Sequence, residues 1–318
     1  MKNFVSVDDV EDMAALLHMA NQYKNDPYAT PQIGNNKILG LIFFNPSLRT
    51  RLSTQKAALN LGMHVMIMNF DKDGWALETE EGAIMNGNKA EHIKEGAAVM
   101  GQYCDIIGIR SFPNLEDRDL DYKEVTINGF IKYAGVPIVN LESAVLHPLQ
   151  SLADLMTIEE LKKKARPKVV LTWAPHVKAL PQSVPNSFAQ WMNRADVDFV
   201  ITHPAGYELA PQFSQPATIE YDQQKAFEDA DFIYAKNWSS YENYGKILSK
   251  DPSWMITNDK MKLTNHAHFM HCLPVRRNVV VHDEVLDGAQ SIVIQQAANR
   301  LYAAQAVLKS ILDSSTQL

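Results

Sequence analysis

Short apolar runs that do not alternate with polar residues recur along the chain. They lie at Ile38–Phe44, His64–Phe70, Ile106–Phe112, Pro137–Leu141, Lys168–Ala174, Val197–His203, Phe232–Trp238 and His268–Leu273. Runs of this kind, rich in Ile and Val and bounded by turn residues, read as strands buried on both faces. Between them lie stretches with helical spacing: Val10–Lys24, Thr50–Leu61, Glu91–Tyr103, Tyr122–Tyr133, Pro148–Lys164, Ser187–Arg194, Ile219–Asp229 and Ala297–Leu312. The alternation predicts an α/β fold of parallel sheets covered by helices, because a parallel crossover needs a helix to return the chain.

A chain of 318 residues is long for one domain at about 150 residues each. We expect the boundary at His147-Pro148, where a proline opens a helix with an apolar stripe of Leu149, Leu152, Leu155, Met156 and Leu161. That gives a first domain over 1–147, a second over 148–297, and a last helix over 298–318 that returns to close the first. Pro175, Pro181 and Pro185 fall close together and read, on composition alone, as a stiff surface loop.

Charge narrows the choice of partner. Lys plus Arg is 30 against 37 for Asp plus Glu, a net of −7, which argues against nucleic acid or an anionic membrane. An anion would have to be met by locally concentrated positive groups. Cys104 and Cys272 are the two cysteines in the sequence, too few for a disulfide scaffold, so a reducing cytoplasmic location is expected. Asp8, Asp9, Glu11 and Asp12 interrupt any signal sequence, and the apolar run at 38–44 falls far short of the roughly 18 residues a bilayer span needs. Asn237-Trp238-Ser239 fits a glycosylation pattern by chance.

Four segments carry chemistry. Phe43-Phe44-Asn45-Pro46-Ser47-Leu48-Arg49-Thr50-Arg51 joins a strand to a helix start. Backbone N–H groups of Ser47, Leu48, Arg49 and Thr50 there meet two hydroxyls and two guanidiniums, as a phosphate site requires. The same residue types also suit a capping serine with solvated arginines. Arg110 ends an apolar run, where ligands of open α/β sheets bind, or where an arginine pairs with a surface carboxylate. His147, held extended by Pro148, can hydrogen-bond a carbonyl oxygen or act near neutral pH; a structural role is the plainer alternative. His266, His268, His271 and Cys272 have no zinc-ligand spacing, so no metal and no other cofactor is expected. Cys272 and Leu273 instead present a thiol and a carbonyl. No G-x-G-x-x-G appears, and Gly82 to Lys89 lacks a P-loop ending.

Taken together, Ser47-Leu48-Arg49-Thr50-Arg51, Arg110, His147-Pro148-Leu149-Gln150, His271-Cys272-Leu273-Pro274 and Asn299-Arg300-Leu301 resemble the transcarbamylases. These enzymes move a carbamoyl group from carbamoyl phosphate to an amine. The resemblance implies two domains of the aspartate/ornithine carbamoyltransferase kind. It implies that Ser47, Leu48, Arg49, Thr50 and Arg300 hold the phosphate, and that Gln150 also serves carbamoyl phosphate. Arg110, His147 and Thr50 would hold the carbamoyl oxygen, with Cys272 also in the catalytic set. Trp75 would reach a neighbouring subunit, making a homotrimer with active sites at subunit interfaces.

Departures refine this. Ornithine carbamoyltransferase has an Asp in a T-D-V-W segment, whereas this chain reads Ala235-Lys236-Asn237-Trp238-Ser239-Ser240. An ammonium in that place repels a free α-ammonium and attracts a carboxylate. The chain therefore resembles the N-acylornithine branch, which implies that Glu142, His176, Lys236, Arg276, Cys272 and Leu273 meet the acceptor. It also implies a knotted C-terminal domain, the chain passing through the loop at 176–185. Acetyl enzymes carry a Glu near position 90 and a Lys aligned with Val280; this chain has Ala90 and Val280. Loss of that carboxylate favours N-succinyl-L-ornithine as acceptor, although Pro is expected at 90 in the succinyl branch. N-acetyl-L-ornithine transfer and a non-catalytic carbamoyl phosphate-binding paralogue are the alternatives.

Overall fold

The computed structural model describes residues 1–315. Two compact units emerge. The first comprises Met1–Pro113, Asp119–Leu149 and the chain from Arg300 onward; the second comprises Asn114–Arg118 and Gln150–Asn299. The expectation of a last helix over 298–318 includes residues 316–318, which lie outside the described residues; the helix is described over Val293–Ser315.

In the first unit the strands are β1 (Ile38–Phe43), β2 (His64–Asn69), β3 (Leu77–Glu78), β4 (Glu91–His92), β5 (Ile106–Arg110) and β6 (Ile138–Glu142). Four of them form a parallel sheet ordered β2-β1-β5-β6, and β3 pairs with β4. The central strands are apolar at nearly every position because both faces are covered. Leu39, Leu41, Ile42, Ile107, Ile109, Val139 and Leu141 are all buried. Helix Arg49–Asn60 returns the chain from β1 to β2. Helix Ile93–Tyr103 packs against Val125–Tyr133, and the approach needs Gly101, where a Cβ would overlap the Ala134 carbonyl.

The second unit continues with β7 (Lys168–Trp173), β8 (Asp198–Thr202), β9 (Thr218–Glu220), β10 (Phe232–Lys236) and β11 (His268–Met270). They form a parallel sheet ordered β11-β10-β7-β8-β9. Trp173, Trp191 and Trp238 are fully buried there.

Some expectations are corrected. β2 is an edge strand, so it is half exposed where full burial was expected; His64 and Met66 face out. The stretch expected as a helix over 219–229 begins as β9, and its helix covers only Gln223–Phe227, capped by Asp222. That expected over 122–133 is broken by Glu124, whose backbone is left-handed (φ 46°). Glu91–His92 is strand and not helix. The proline-rich loop ends early, in a helix from Ser183 that carries Pro185 in its first turn, as a proline's missing N–H allows there.

Candidate active site

Parallel strands place their carboxyl ends along one edge of a sheet. Phe43, Arg110 and Glu142 occupy matching register positions at the ends of β1, β5 and β6, so the three loops that follow converge. Arg110 is buried, and its guanidinium is held from several sides. Nη2 donates to Glu142 Oε2 at 3.0 Å, while Nη1 donates to the carbonyls of Asn45 (3.2 Å) and Pro46 (2.6 Å). Its Cζ lies 4.0 Å from the centre of the Phe112 ring. His147 Nε2 is 3.7 Å from the same Glu142 oxygen. Glu142 thus lies with Arg110 and His147, where the resemblance had grouped it with the acceptor residues.

Helix Arg49–Asn60 begins in this place. Leu48 occupies its capping position without a side-chain hydrogen bond, so the first N–H groups face outward from the positive end of the helix dipole. Thr50 is buried, and its hydroxyl accepts from Arg300 Nη2 at 2.6 Å. Ser47 and Arg49 are half-buried on the same turn. The Arg51 guanidinium stacks on Phe43 and donates to Asn69. Ser47, Leu48, Arg49, Thr50, Arg110, His147 and Arg300 therefore all belong to the first unit, where the helix start, the loops and the arginines lie together.

Trp75 is exposed, and its indole N–H donates to Glu91 Oε2 at 2.9 Å. Ala90 precedes Glu91 and is exposed. The carboxylate next to position 90 is therefore engaged by the tryptophan of its own chain.

The second unit carries a separate cationic group at the carboxyl edge of its sheet. Trp173 at the end of β7 is in register with Lys236 at the end of β10, and His176 follows β7 in sequence. Arg276 Nε donates to His176 Nε2 at 3.1 Å. An arginine cannot accept, so Nε2 is the accepting nitrogen, while Nδ1 lies 3.0 Å from the Lys178 carbonyl and 3.1 Å from the Lys178 N–H. Burial, and then the charges of Lys236, Arg276 and Lys178, hold the His176 pKa below its ordinary value.

Cys272 and Leu273 lie just past β11. The Leu273 backbone is left-handed (φ 55°), and its N–H donates to His271 Nδ1 at 2.9 Å. Beneath them is a buried polar network that the sequence reading did not single out. Asp154 Oδ1 accepts from Gln150 Nε2 (2.7 Å) and from Gln296 Nε2 (2.6 Å), while Gln296 Oε1 accepts the His271 N–H at 2.9 Å. Burial, followed by Asp154 and Cys272, pushes the Tyr234 phenol up. Gln150 is thus held by Asp154. Gln150, Ser151, Asp154 and Thr157, polar yet buried among the leucines of helix Pro148–Leu161, are the signal in the sequence that points there.

Among the described residues, no group of three or more His, Cys, Asp or Glu is arranged to hold a metal ion. No described helix is long and apolar enough to cross a membrane.

Residues 2–160 match the family model of the aspartate/ornithine carbamoyltransferase carbamoyl-P binding domain, and residues 181–311 match that of its Asp/Orn binding domain. The chain is 59% identical to the N-succinylornithine carbamoyltransferase of Bacteroides thetaiotaomicron, covering 98% of this chain and 99% of that one. It is 35% identical to the N-acetylornithine carbamoyltransferase of Xylella fastidiosa, over 98% of each. Among solved structures, a point mutant of N-acetyl-L-ornithine transcarbamylase complexed with carbamyl phosphate and N-succinyl-L-norvaline superposes with a TM-score of 0.93. It is 33% identical, over 98% of this chain and all of that one.

Proposed function

The chain belongs to the aspartate/ornithine carbamoyltransferase family, and from that premise we propose that it carbamoylates the δ-amine of N-succinyl-L-ornithine. The products are N-succinyl-L-citrulline and phosphate, a step of arginine biosynthesis. The observation that carries the acceptor choice is Lys236 beside His176, Arg276 and Lys178. A cluster with that sign repels a free α-ammonium and attracts a carboxylate, the group that remains once the α-amine is acylated.

Each substrate has its own set of residues. Carbamoyl phosphate is met by the N–H groups at the start of helix Arg49–Asn60, with Ser47, Leu48, Arg49, Thr50 and Arg300 on the phosphate and Gln150 beside it. The acylornithine carboxylate goes to the Lys236 cluster, with Cys272 and Leu273 toward the δ-nitrogen. That nitrogen must be neutral to attack, and surrounding guanidiniums favour its neutral form. Attack forms the new N–C bond. The negative oxygen that develops is stabilised by Arg110, His147 and the Thr50 hydroxyl. The C–O bond to phosphate then breaks, and the departing phosphate takes the amine proton. Positioning and fixed positive charge supply the catalysis.

A cytoplasmic homotrimer with a knotted second domain completes the proposal. In support of assembly, Leu48 (66% exposed), Leu52 and Leu59 lie along one side of helix Arg49–Asn60, and Met66 of edge strand β2 is exposed as well. Trp75 and Ile84 (84% exposed) project from the adjoining loop region. An exposed apolar stripe such as that of Leu48, Leu52 and Leu59 suits a protein interface.

The test is ureido-product formation from carbamoyl phosphate with ornithine, N-acetylornithine and N-succinylornithine offered separately. Turnover of the succinyl compound alone is the expected result. Preference for the acetyl compound would overturn the acyl assignment, turnover of ornithine would overturn the Lys236 argument, and no turnover would favour a non-catalytic paralogue.

A further inference from the structure

We propose that Asn45 is a positioning residue for Arg110, a role resting on the carbamoyl-transfer reading above. Asn45 lies in the loop after β1 and ties that loop to the end of β5 on both sides of the arginine. Its side-chain Oδ1 accepts the Phe112 N–H at 2.6 Å, and its own carbonyl accepts from Arg110 Nη1 at 3.2 Å. The Pro46 carbonyl takes the same Nη1 at 2.6 Å, and the Phe44 N–H donates to the Arg110 carbonyl at 2.9 Å. Phe112 in turn presents its ring to the guanidinium at 4.0 Å. One amide side chain therefore joins the loop that aligns Nη1 to the residue on which the guanidinium plane rests.

The residue type matters as much as the reach. Arg110 already faces one carboxylate, Glu142 at 3.0 Å. A neutral acceptor at position 45 satisfies the Phe112 N–H without adding a second negative charge beside the arginine. With the acceptor removed, the Phe112 N–H loses its partner and the plane of Arg110 is no longer set. With a carboxylate in its place, the geometry survives, but the arginine's charge is partly neutralised before an anionic substrate arrives.

The two substitutions should thus separate. Asn45→Leu, similar in volume and without an acceptor, is expected to lower kcat by about 10-fold or more, with KM for carbamoyl phosphate within about 3-fold of the parent. Asn45→Asp is expected to keep kcat within about 3-fold and raise KM for carbamoyl phosphate by about 10-fold. Should Asn45→Leu not fold, Asn45→Ser, one bond too short to reach Phe112, takes its place. A kcat close to that of the parent for the variant lacking the acceptor, or equal loss of kcat in both variants, would overturn the role. Absence of transfer by the parent would instead overturn the proposed function.

Discussion

Arg300 Nη2 donates to the Thr50 hydroxyl at 2.6 Å, joining residues 250 positions apart in the chain. Both are buried, so the C-terminal helix supplies a guanidinium to the first turn of helix Arg49–Asn60. Thr50→Val keeps the side-chain shape and removes the acceptor. We expect KM for carbamoyl phosphate to rise by about 10-fold and kcat to fall, as for a lost charge-assisted bond and a lost oxyanion donor. Steady-state kinetics measure both, and unchanged values would remove Thr50 from the site.

Arg110→Ala should lower kcat by about 10²-fold, the scale of removing one oxyanion donor. It also leaves Glu142 buried without its guanidinium partner, so a lower Tm is expected as well. A variant with near-native kcat would exclude Arg110 from the mechanism.

Lys236→Asp reverses one charge in the cationic group of the second unit. The specificity constant for N-succinylornithine should fall by about 10²-fold, while any turnover of free ornithine should increase. Competition between the two acceptors reads this directly, and an unaltered ratio would show that Lys236 does not select between them.

Three histidines of the second unit, His176, His203 and His268, have pKa values held below the ordinary 6.5, in each case chiefly by burial. In the window below 6.5 the unfolded chain binds more protons than the folded one, so stability rises with pH there and is lost on acidification. The Tm is expected to be lower at about pH 5.5 than at about pH 7.5, and His203→Phe should flatten that dependence. His203 is the natural target because it is the most buried of the three. Equal slopes for parent and variant would assign the effect elsewhere.

Gly101→Ala places a methyl against the Ala134 carbonyl, where backbone must move to admit it. A loss of about 1–3 kcal/mol is expected by analogy with overpacked cores, measurable as a reduced denaturant midpoint. No loss would mean that the two helices can separate at little cost.

Strands were legible where burial on both faces leaves an unbroken apolar run, as in Ile38–Phe43 and Ile106–Arg110. They were misjudged where position in the sheet decides exposure. β2 carries the same apolar residues but lies at an edge, and β9 is too short to display a period. Glu124 stopped a helix that its neighbours' spacing favoured, because its backbone turns left-handed.

The sequence by itself determined the alternation of strand and helix and an acidic balance that argues against nucleic acid, and it offered Ser47–Arg51, Arg110, His147 and Cys272 as candidates by residue type, with Lys236 added by family resemblance. The alternation and the charge follow from local period and residue type, which need no neighbours. Only the tertiary structure decided the partners. Glu142 stands against Arg110 because β5 and β6 lie side by side and their register shifts by one residue after Ile109, which brings Glu142 and not Leu141 opposite the arginine, and Asp154 holds Gln150 and Gln296 together although one of those partners is 142 residues away. A hydrogen bond or an ion pair depends on distance in space, and that distance is set when parallel strands align their carboxyl ends.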